Sequence, residues 1–182
     1  MTGAHRAQRT QSQAPAAVGP RVRAVTADDT RDLGRALAEL LRPGDLVVLS
    51  GDLGAGKTTL TQGIGQGLRV RGEVTSPTFV IARVHPPLRE GPALVHVDAY
   101  RLGCLSEVDD LDLDAGLAES VTVVEWGEGL VEDLASDRLE IRIDRPRGGE
   151  APDGPDPDAD EPRSVHFTGY GSRWRDVALP AG

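Results

Sequence analysis

The residues whose types and spacing could do chemistry are concentrated at Gly51-Asp52-Leu53-Gly54-Ala55-Gly56-Lys57-Thr58-Thr59. This run fits the pattern G-x-x-x-x-G-K-[ST] and stands in the context the pattern needs, between the apolar run Leu46-Val47-Val48-Leu49 and a helical stretch near 57 to 68. Glycines let the backbone turn tightly enough for amide hydrogens to point inward at phosphate oxygens, and a helix N-terminus adds positive potential. Lys57 would reach the β and γ phosphates of a nucleotide. Thr58 would offer a hydroxyl to Mg²⁺, which takes oxygen ligands and is usually held partly by the nucleotide itself. Asp52, Leu53, Gly54, Ala55, Gly56 and Thr59 complete the expected cradle. A glycine-rich turn that only caps a helix is the alternative, but this chain's residue frequencies would yield the full pattern about once in a thousand such sequences.

A Mg²⁺ ion and an attacking water also need carboxylates, normally where a buried strand ends beside such a loop. Asp98 ends Leu94-Val95-His96-Val97, and Glu125 ends Val121-Thr122-Val123-Val124. Each taken alone also reads as a strand-end acid facing water. Together they can approach one ion, one coordinating it and the other orienting water. Lys57, Asp98 and Glu125 are thus the candidate catalytic residues, with Thr58 and Glu125 or Asp98 at the metal. Thr75-Ser76-Pro77-Thr78-Phe79 is a hydroxyl-rich turn in which Pro77 forces Ser76 to be extended; it could sense a γ-phosphate or simply lead into a strand. Trp126 reads as a packed aromatic or as a stacking contact at the nucleotide. Arg101 reads as an ion-pair partner ahead of an arginine finger. The run Glu107, Asp109, Asp110, Asp112, Asp114 reads as a solvated face, with docking on a basic partner as the alternative.

Base identity can be weighed from content alone. Guanine-reading P-loop proteins use an Asn/Thr-Lys-x-Asp loop, and this chain has no Asn and a single lysine, Lys57, already committed to the phosphate loop. ATP is the better candidate. The same lysine is the exception among 20 basic residues, all others being Arg. A compact ammonium fits between phosphates where a broad guanidinium does not.

The elements that must position these groups can be read along the chain. The 182 residues, 38% hydrophobic, suffice for one domain with its own core. Residues 1–25 carry four Arg and no acid, show no apolar period, and are expected to be a mostly disordered tail. Residues 26–182 are expected to form a single domain, interrupted by a disordered acidic loop at about 146–163, where six carboxylates sit among prolines and glycines. Thr26 can cap a helix whose Leu33, Leu37, Leu40 and Leu41 share a face, closed by Pro43-Gly44. Leu46 to Leu49, Phe79 to Val84, Leu94 to Val97 and Val121 to Val124 read as strands, 106–118 as a loop or short helix, and 127–135 as a short helix. Leu139 to Ile143 and Val165 to Phe167 read as a hairpin around the acidic loop. The fold expected is α/β, a P-loop NTPase-type, mostly parallel central sheet flanked by helices.

The formal net charge is −9, and residues 26–143 alone hold 21 acids against 11 basic residues. Such a chain is ill suited to gripping polyanions by itself, so direct RNA or DNA binding is not expected. One cysteine, Cys104, excludes a disulfide framework within the chain, and no apolar run is long enough for a membrane span. A cytoplasmic location with no membrane partner is expected.

GDLGAGKTTLTQG, VTSPTFV, HVDAYRL and VVEWGE, in this order and at these separations, resemble the bacterial TsaE (YjeE) family over roughly 26–143. The resemblance implies a small α/β ATPase with Lys57 and Thr58 at nucleotide and Mg²⁺, Asp98 and Glu125 as essential acids, Ser76 to Thr78 in a switch-like segment, and Trp126 at the nucleotide site. It implies a role in forming threonylcarbamoyladenosine beside the anticodon of tRNAs reading ANN codons, by hydrolysing ATP on a complex of the TsaB and TsaD proteins. One departure is Gly127, where many relatives carry Pro. A small-molecule kinase and a nucleotide switch with negligible turnover are the rival readings of the phosphate loop.

Overall fold

The computed structural model describes residues 14–77, 81–100, 118–131, 135–145 and 162–181. Ten elements precede a final 3₁₀ turn: β1 (Ala17–Val18), β2 (Val22–Ala24), α1 (Ala27–Ala38), β3 (Leu46–Ser50), α2 (Lys57–Gly67), β4 (Ala82–His85), β5 (Ala93–Asp98), β6 (Ser120–Glu125), β7 (Arg138–Asp144) and β8 (Arg163–Tyr170), then Ser172–Trp174.

The eight strands form one mixed sheet in the order β1-β8-β7-β3-β6-β5-β4, with β2 also on β8. Its centre, β7-β3-β6-β5, is parallel throughout. Antiparallel strands close both sides, β8 on β7 and β4 on β5. Because the four central strands run the same way, β3, β5, β6 and β7 deliver their C-terminal residues Ser50, Asp98, Glu125 and Asp144 to one edge. That edge is where open α/β sheets collect ligands.

β3, β5 and β6 are mostly apolar runs buried along nearly their whole length, whereas β7 alternates, with Leu139, Ile141 and Ile143 buried and Glu140 and Arg142 partly exposed. Val47 and Leu49 of β3 join a cluster with Leu33 and Leu37 of α1 and Leu60 and Ile64 of α2. Leu46 and Val48 face the other way, with Val95, Val97, Val124 and Val131. Both helices therefore lie on one face of the sheet. Among the described residues no helix covers the second face, so the flanking helices expected from the sequence are observed on one face of the sheet. Residues 127–131, expected to begin a short helix, form a turn in which the amides of Leu130 and Val131 both bond to Gly127 O. The helices cross so closely that a Cβ on Gly63 would lie 2.2 Å from Arg31 O, and one on Gly34 2.4 Å from Leu60 O. Only glycine permits that backbone approach.

Thr26 caps α1 as expected, within a full capping box: Thr26 Oγ1 accepts from Asp29 N, and the Asp29 carboxylate accepts from Thr26 N. These bonds, with one from Val25 N, hold the Asp29 carboxyl below its ordinary value. The helix ends at Ala38, so Leu40 and Leu41 belong to the turn beyond it. The β7–β8 hairpin forms as expected, antiparallel, and its register sets Ile141 opposite Phe167. Of the strand expected over Phe79 to Val84, Ala82 to Val84 fall in β4 and Ile81 precedes it, while residues 78–80 lie outside the described residues.

The assignment of 1–25 to a tail needs correction. Residues 1–13 lie outside the described residues, but β1 and β2 pair with β8, and Val22 and Ala24 are buried. Two- and three-residue strands are too short to show a period; pairing to an existing strand makes them. The stretches 101–117, including Arg101, Cys104 and the acidic run 107–114, and 146–161, most of the acidic loop, lie outside the described residues.

The C-terminal segment is locked to the start of β3 by a fork. Arg173 Nε and Nη2 donate to the two oxygens of Asp45 at 3.0 and 2.8 Å, and Nη2 also donates to Leu40 O at 2.6 Å. Beside it, Trp174 is fully buried in the helix-side core.

Candidate functional site

The loop between β3 and α2 folds as its glycines dictate. Gly51 (φ 141°), Gly54 (φ 74°) and Gly56 (φ 108°) all take positive φ, and Gly56 is the N-cap of α2. At Gly51 the need is also steric, since a Cβ there would lie 2.3 Å from Ile143 O on β7. The turn thus folds back onto the sheet edge and starts α2 with its N-terminus toward a cavity of about 330 Å³.

Lys57, the first residue of α2, is buried, and its Nζ donates to the carbonyls of Gly51 and Asp52 at 2.8 and 2.9 Å. The same Nζ lies 3.7 Å from the centre of the Trp126 ring. Burial pushes its pKa below the ordinary 10.5, while Glu125, Asp98 and Asp52 pull it back up. Thr58 Oγ1 donates to Glu125, 3.0 Å from each carboxylate oxygen.

Glu125 and Asp98 end adjacent parallel strands in register, and both are buried. Asp98 accepts from Ser76 Oγ at 3.2 Å and from Tyr100 N at 3.0 Å. Ser76 therefore sits at the cavity, whereas Thr78 lies outside the described residues. Trp126 takes a left-handed backbone conformation (φ 62°) and forms a cavity wall, tilted against Tyr100 with ring centres 5.2 Å apart. Gly127 behind it is packed so tightly that a Cβ would come within 2.8 Å of both Val124 and Val131.

Of the residues singled out from the sequence, Leu53, Gly54, Gly56, Lys57, Thr58, Thr59, Asp98, Glu125 and Trp126 line this one cavity. Ala55 is buried beneath the loop, and Asp52 faces a second hollow of about 680 Å³ on the far side of Trp126, beside Arg142, Asp144 and Arg145. Three contributors escaped the sequence reading. Arg145 and Arg163 border the loop, near Gly54 and Gly56 respectively. His96 places Nε2 2.7 Å from Glu125 Oε1. Its signal was available in the period of two that puts His96 and Asp98 on one side of β5.

The donors at the cavity are hydroxyl and carboxylate oxygens, the chemistry Mg²⁺ prefers. Among the described residues no group of three or more His, Cys, Asp or Glu could hold an ion unaided. Thr58 with two carboxylates fits an ion that draws its other ligands from phosphate and water.

Comparison with known proteins bears on the same residues. Residues 24–150 match the family model "Threonylcarbamoyl adenosine biosynthesis protein TsaE". The chain is 64% identical over 155 residues to the tRNA threonylcarbamoyladenosine biosynthesis protein TsaE of Streptomyces coelicolor, covering 84% of this chain and 99% of that one. It is 55% identical over 125 residues to the TsaE protein of Mycobacterium tuberculosis, covering 65% and 74%. In structure it is similar to Bacillus subtilis YdiB, with TM-score 0.63 and 31% identity, over 87% of this chain and 90% of that one. No helix among the described residues is long and apolar enough to cross a membrane. With a family model spanning the whole site and relatives matched over most of their length, the chain belongs to the TsaE family of tRNA threonylcarbamoyladenosine biosynthesis proteins.

Proposed function

We propose that this chain is a Mg²⁺-dependent ATPase that serves threonylcarbamoyladenosine formation by acting on the TsaB–TsaD transfer complex. The observation that carries the reading is the convergence of Lys57, Thr58, Asp98 and Glu125 on one cavity at the mouth of a glycine loop. The loop amides and the α2 N-terminus cradle the phosphates of ATP, as in P-loop NTPases. Lys57 Nζ exchanges its two backbone carbonyls for β- and γ-phosphate oxygens, where its charge counts most as the γ-phosphoryl group leaves. When bound, Mg²⁺ neutralises charge on the phosphates, held by Thr58 with Glu125 beside it. Asp98, the neighbouring carboxylate, accepts a hydrogen bond from the attacking water and orients it, while Ser76 reports γ-phosphate occupancy through its bond to Asp98. Trp126 and Tyr100 shield the lysine side of the cavity.

The acidity of the chain fits docking on a protein complex better than holding tRNA directly. The test is ATP hydrolysis by the protein alone and after addition of TsaB and TsaD. Stimulated turnover supports the reading; absence of both binding and stimulation would sink it, and phosphate appearing on a small molecule would favour a kinase.

A further inference from the structure

Glu125 is gripped from two sides. Thr58 Oγ1 donates to its carboxylate from the cavity, and His96 approaches from within the sheet, Nε2 to Oε1 2.7 Å. His96 lies mid-strand on β5, fully buried, with Val123 as its register partner on β6, so that Glu125 is its diagonal neighbour. Against a carboxylate oxygen a ring nitrogen must carry hydrogen, so Nε2 is the donor. The other ring nitrogen, Nδ1, is buried without a hydrogen-bond partner among the described residues. Burying a polar ring with one unmet nitrogen is costly, and the contact of Nε2 with Glu125 is the polar interaction that offsets it.

We propose that His96 is a positioning residue for the metal side of the site, an inference that rests on the reading of the cavity as a Mg²⁺–nucleotide site. A glutamate side chain has three rotatable torsions, and Thr58 alone, a half-buried hydroxyl at the start of α2, does not fix them all. Nε2–H of His96 pins Oε1, which sets the plane of the carboxylate and keeps it turned toward the Thr58 hydroxyl. Thr58 then donates its hydrogen to Glu125 and keeps its oxygen lone pairs for the cation. Hydrogen bonds of this kind, one step removed from a cation, commonly account for 10- to 100-fold in its affinity, so roughly that range is expected here.

The experiment compares His96→Leu, which removes the donor at similar volume, with His96→Gln, whose amide nitrogen reaches the place of Nε2. Binding of ADP is followed by Trp126 fluorescence in EDTA and then across a MgCl₂ titration, with thermal melting in parallel. His96→Leu is expected to bind ADP in EDTA as the wild type does and to need about 10- to 100-fold more Mg²⁺ to reach the tight state. His96→Gln is expected to stay within about threefold of the wild type, since it keeps an N–H donor in that place. Unchanged Mg²⁺ dependence in His96→Leu, or equal impairment in both variants, overturns the proposal. Should His96→Leu fail to fold, His96→Asn replaces it: the same amide with its nitrogen drawn back out of reach, so loss in Asn with retention in Gln supports the proposal and equal behaviour overturns it. A wild type whose ADP binding ignores Mg²⁺ would overturn the reading of the site itself, and this proposal with it.

Discussion

Asp98 and Glu125 face each other across the β5–β6 ladder, yet each is held by a different hydroxyl: Ser76 bonds Asp98 and Thr58 bonds Glu125. Two adjacent acids with separate partners are suited to separate tasks. Asp98→Asn is expected to lower ATP turnover by about 10²- to 10⁴-fold, the usual loss when a water-orienting base is removed, while leaving Mg²⁺–ADP affinity within about threefold. Glu125→Gln is expected to weaken Mg²⁺-dependent ADP binding as well. Turnover assays and calorimetric ADP titrations with and without Mg²⁺ separate the two; identical effects on binding would remove the division of labour.

Lys57 gives the site a pH signature. Burial holds its pKa below 10.5 in the folded chain. Between the folded value and 10.5 the unfolded chain binds more protons, so this group's contribution to stability improves as pH rises through that window. On the proposed function nucleotide binding needs the ammonium and is expected to run the other way, weakening as pH rises through the folded value, before an ordinary lysine would titrate. ADP affinity measured from about pH 7 to pH 10.5 should fall in the wild type and be low and flat in Lys57→Ala, about 10- to 100-fold weaker at neutral pH as expected for loss of a charged hydrogen bond. Lys57→Arg should not restore it, because the guanidinium cannot occupy the pocket between the Gly51 and Asp52 carbonyls and the Trp126 ring.

Gly51→Ala should damage fold and site together. The added methyl meets the Ile143 carbonyl, which belongs to a paired strand and cannot swing aside, and φ of 141° is adverse to any side chain. A loss of about 1 to 3 kcal/mol is expected from overpacking, visible as a Tm lowered by about 2 to 4 °C per kcal/mol. Gly72→Ala, with positive φ but open space around it, is the control for the φ effect alone.

Arg173→Ala should be among the more destabilising changes far from the cavity. It leaves Asp45, buried at the entry to β3, without its two charged donors. Breaking a buried pair from one side costs about 3 to 5 kcal/mol. Urea unfolding should show the shift in midpoint, and the double variant Arg173→Ala with Asp45→Ala should recover part of it.

The Thr26 cap, the β3–loop–α2 unit and the β7–β8 hairpin were legible because each is specified locally. Thr26 and Asp29 lie three residues apart, the glycines of the loop are spaced for one turn, and the apolar runs of the central strands are long enough to announce burial. Strands β1 and β2 were not legible, because two or three residues carry no period and exist only through pairing with β8. The turn at 127–131 was mistaken for helix because its buried Val131 serves the sheet's second face and no helical stripe.

The site divides the same way. The sequence by itself determined which residues could bind phosphate, since loop geometry is a local property of Gly51 to Thr58, and it proposed Asp98 and Glu125 as strand-end acids. Only the tertiary structure decided that these acids are neighbours, that Thr58 belongs to Glu125 and Ser76 to Asp98, and that His96 stands behind Glu125. The reason is physical: strand order and register bring together residues 29 positions apart on β5 and β6 and 67 apart between α2 and β6, and no spacing rule along the chain encodes which strand lies beside which.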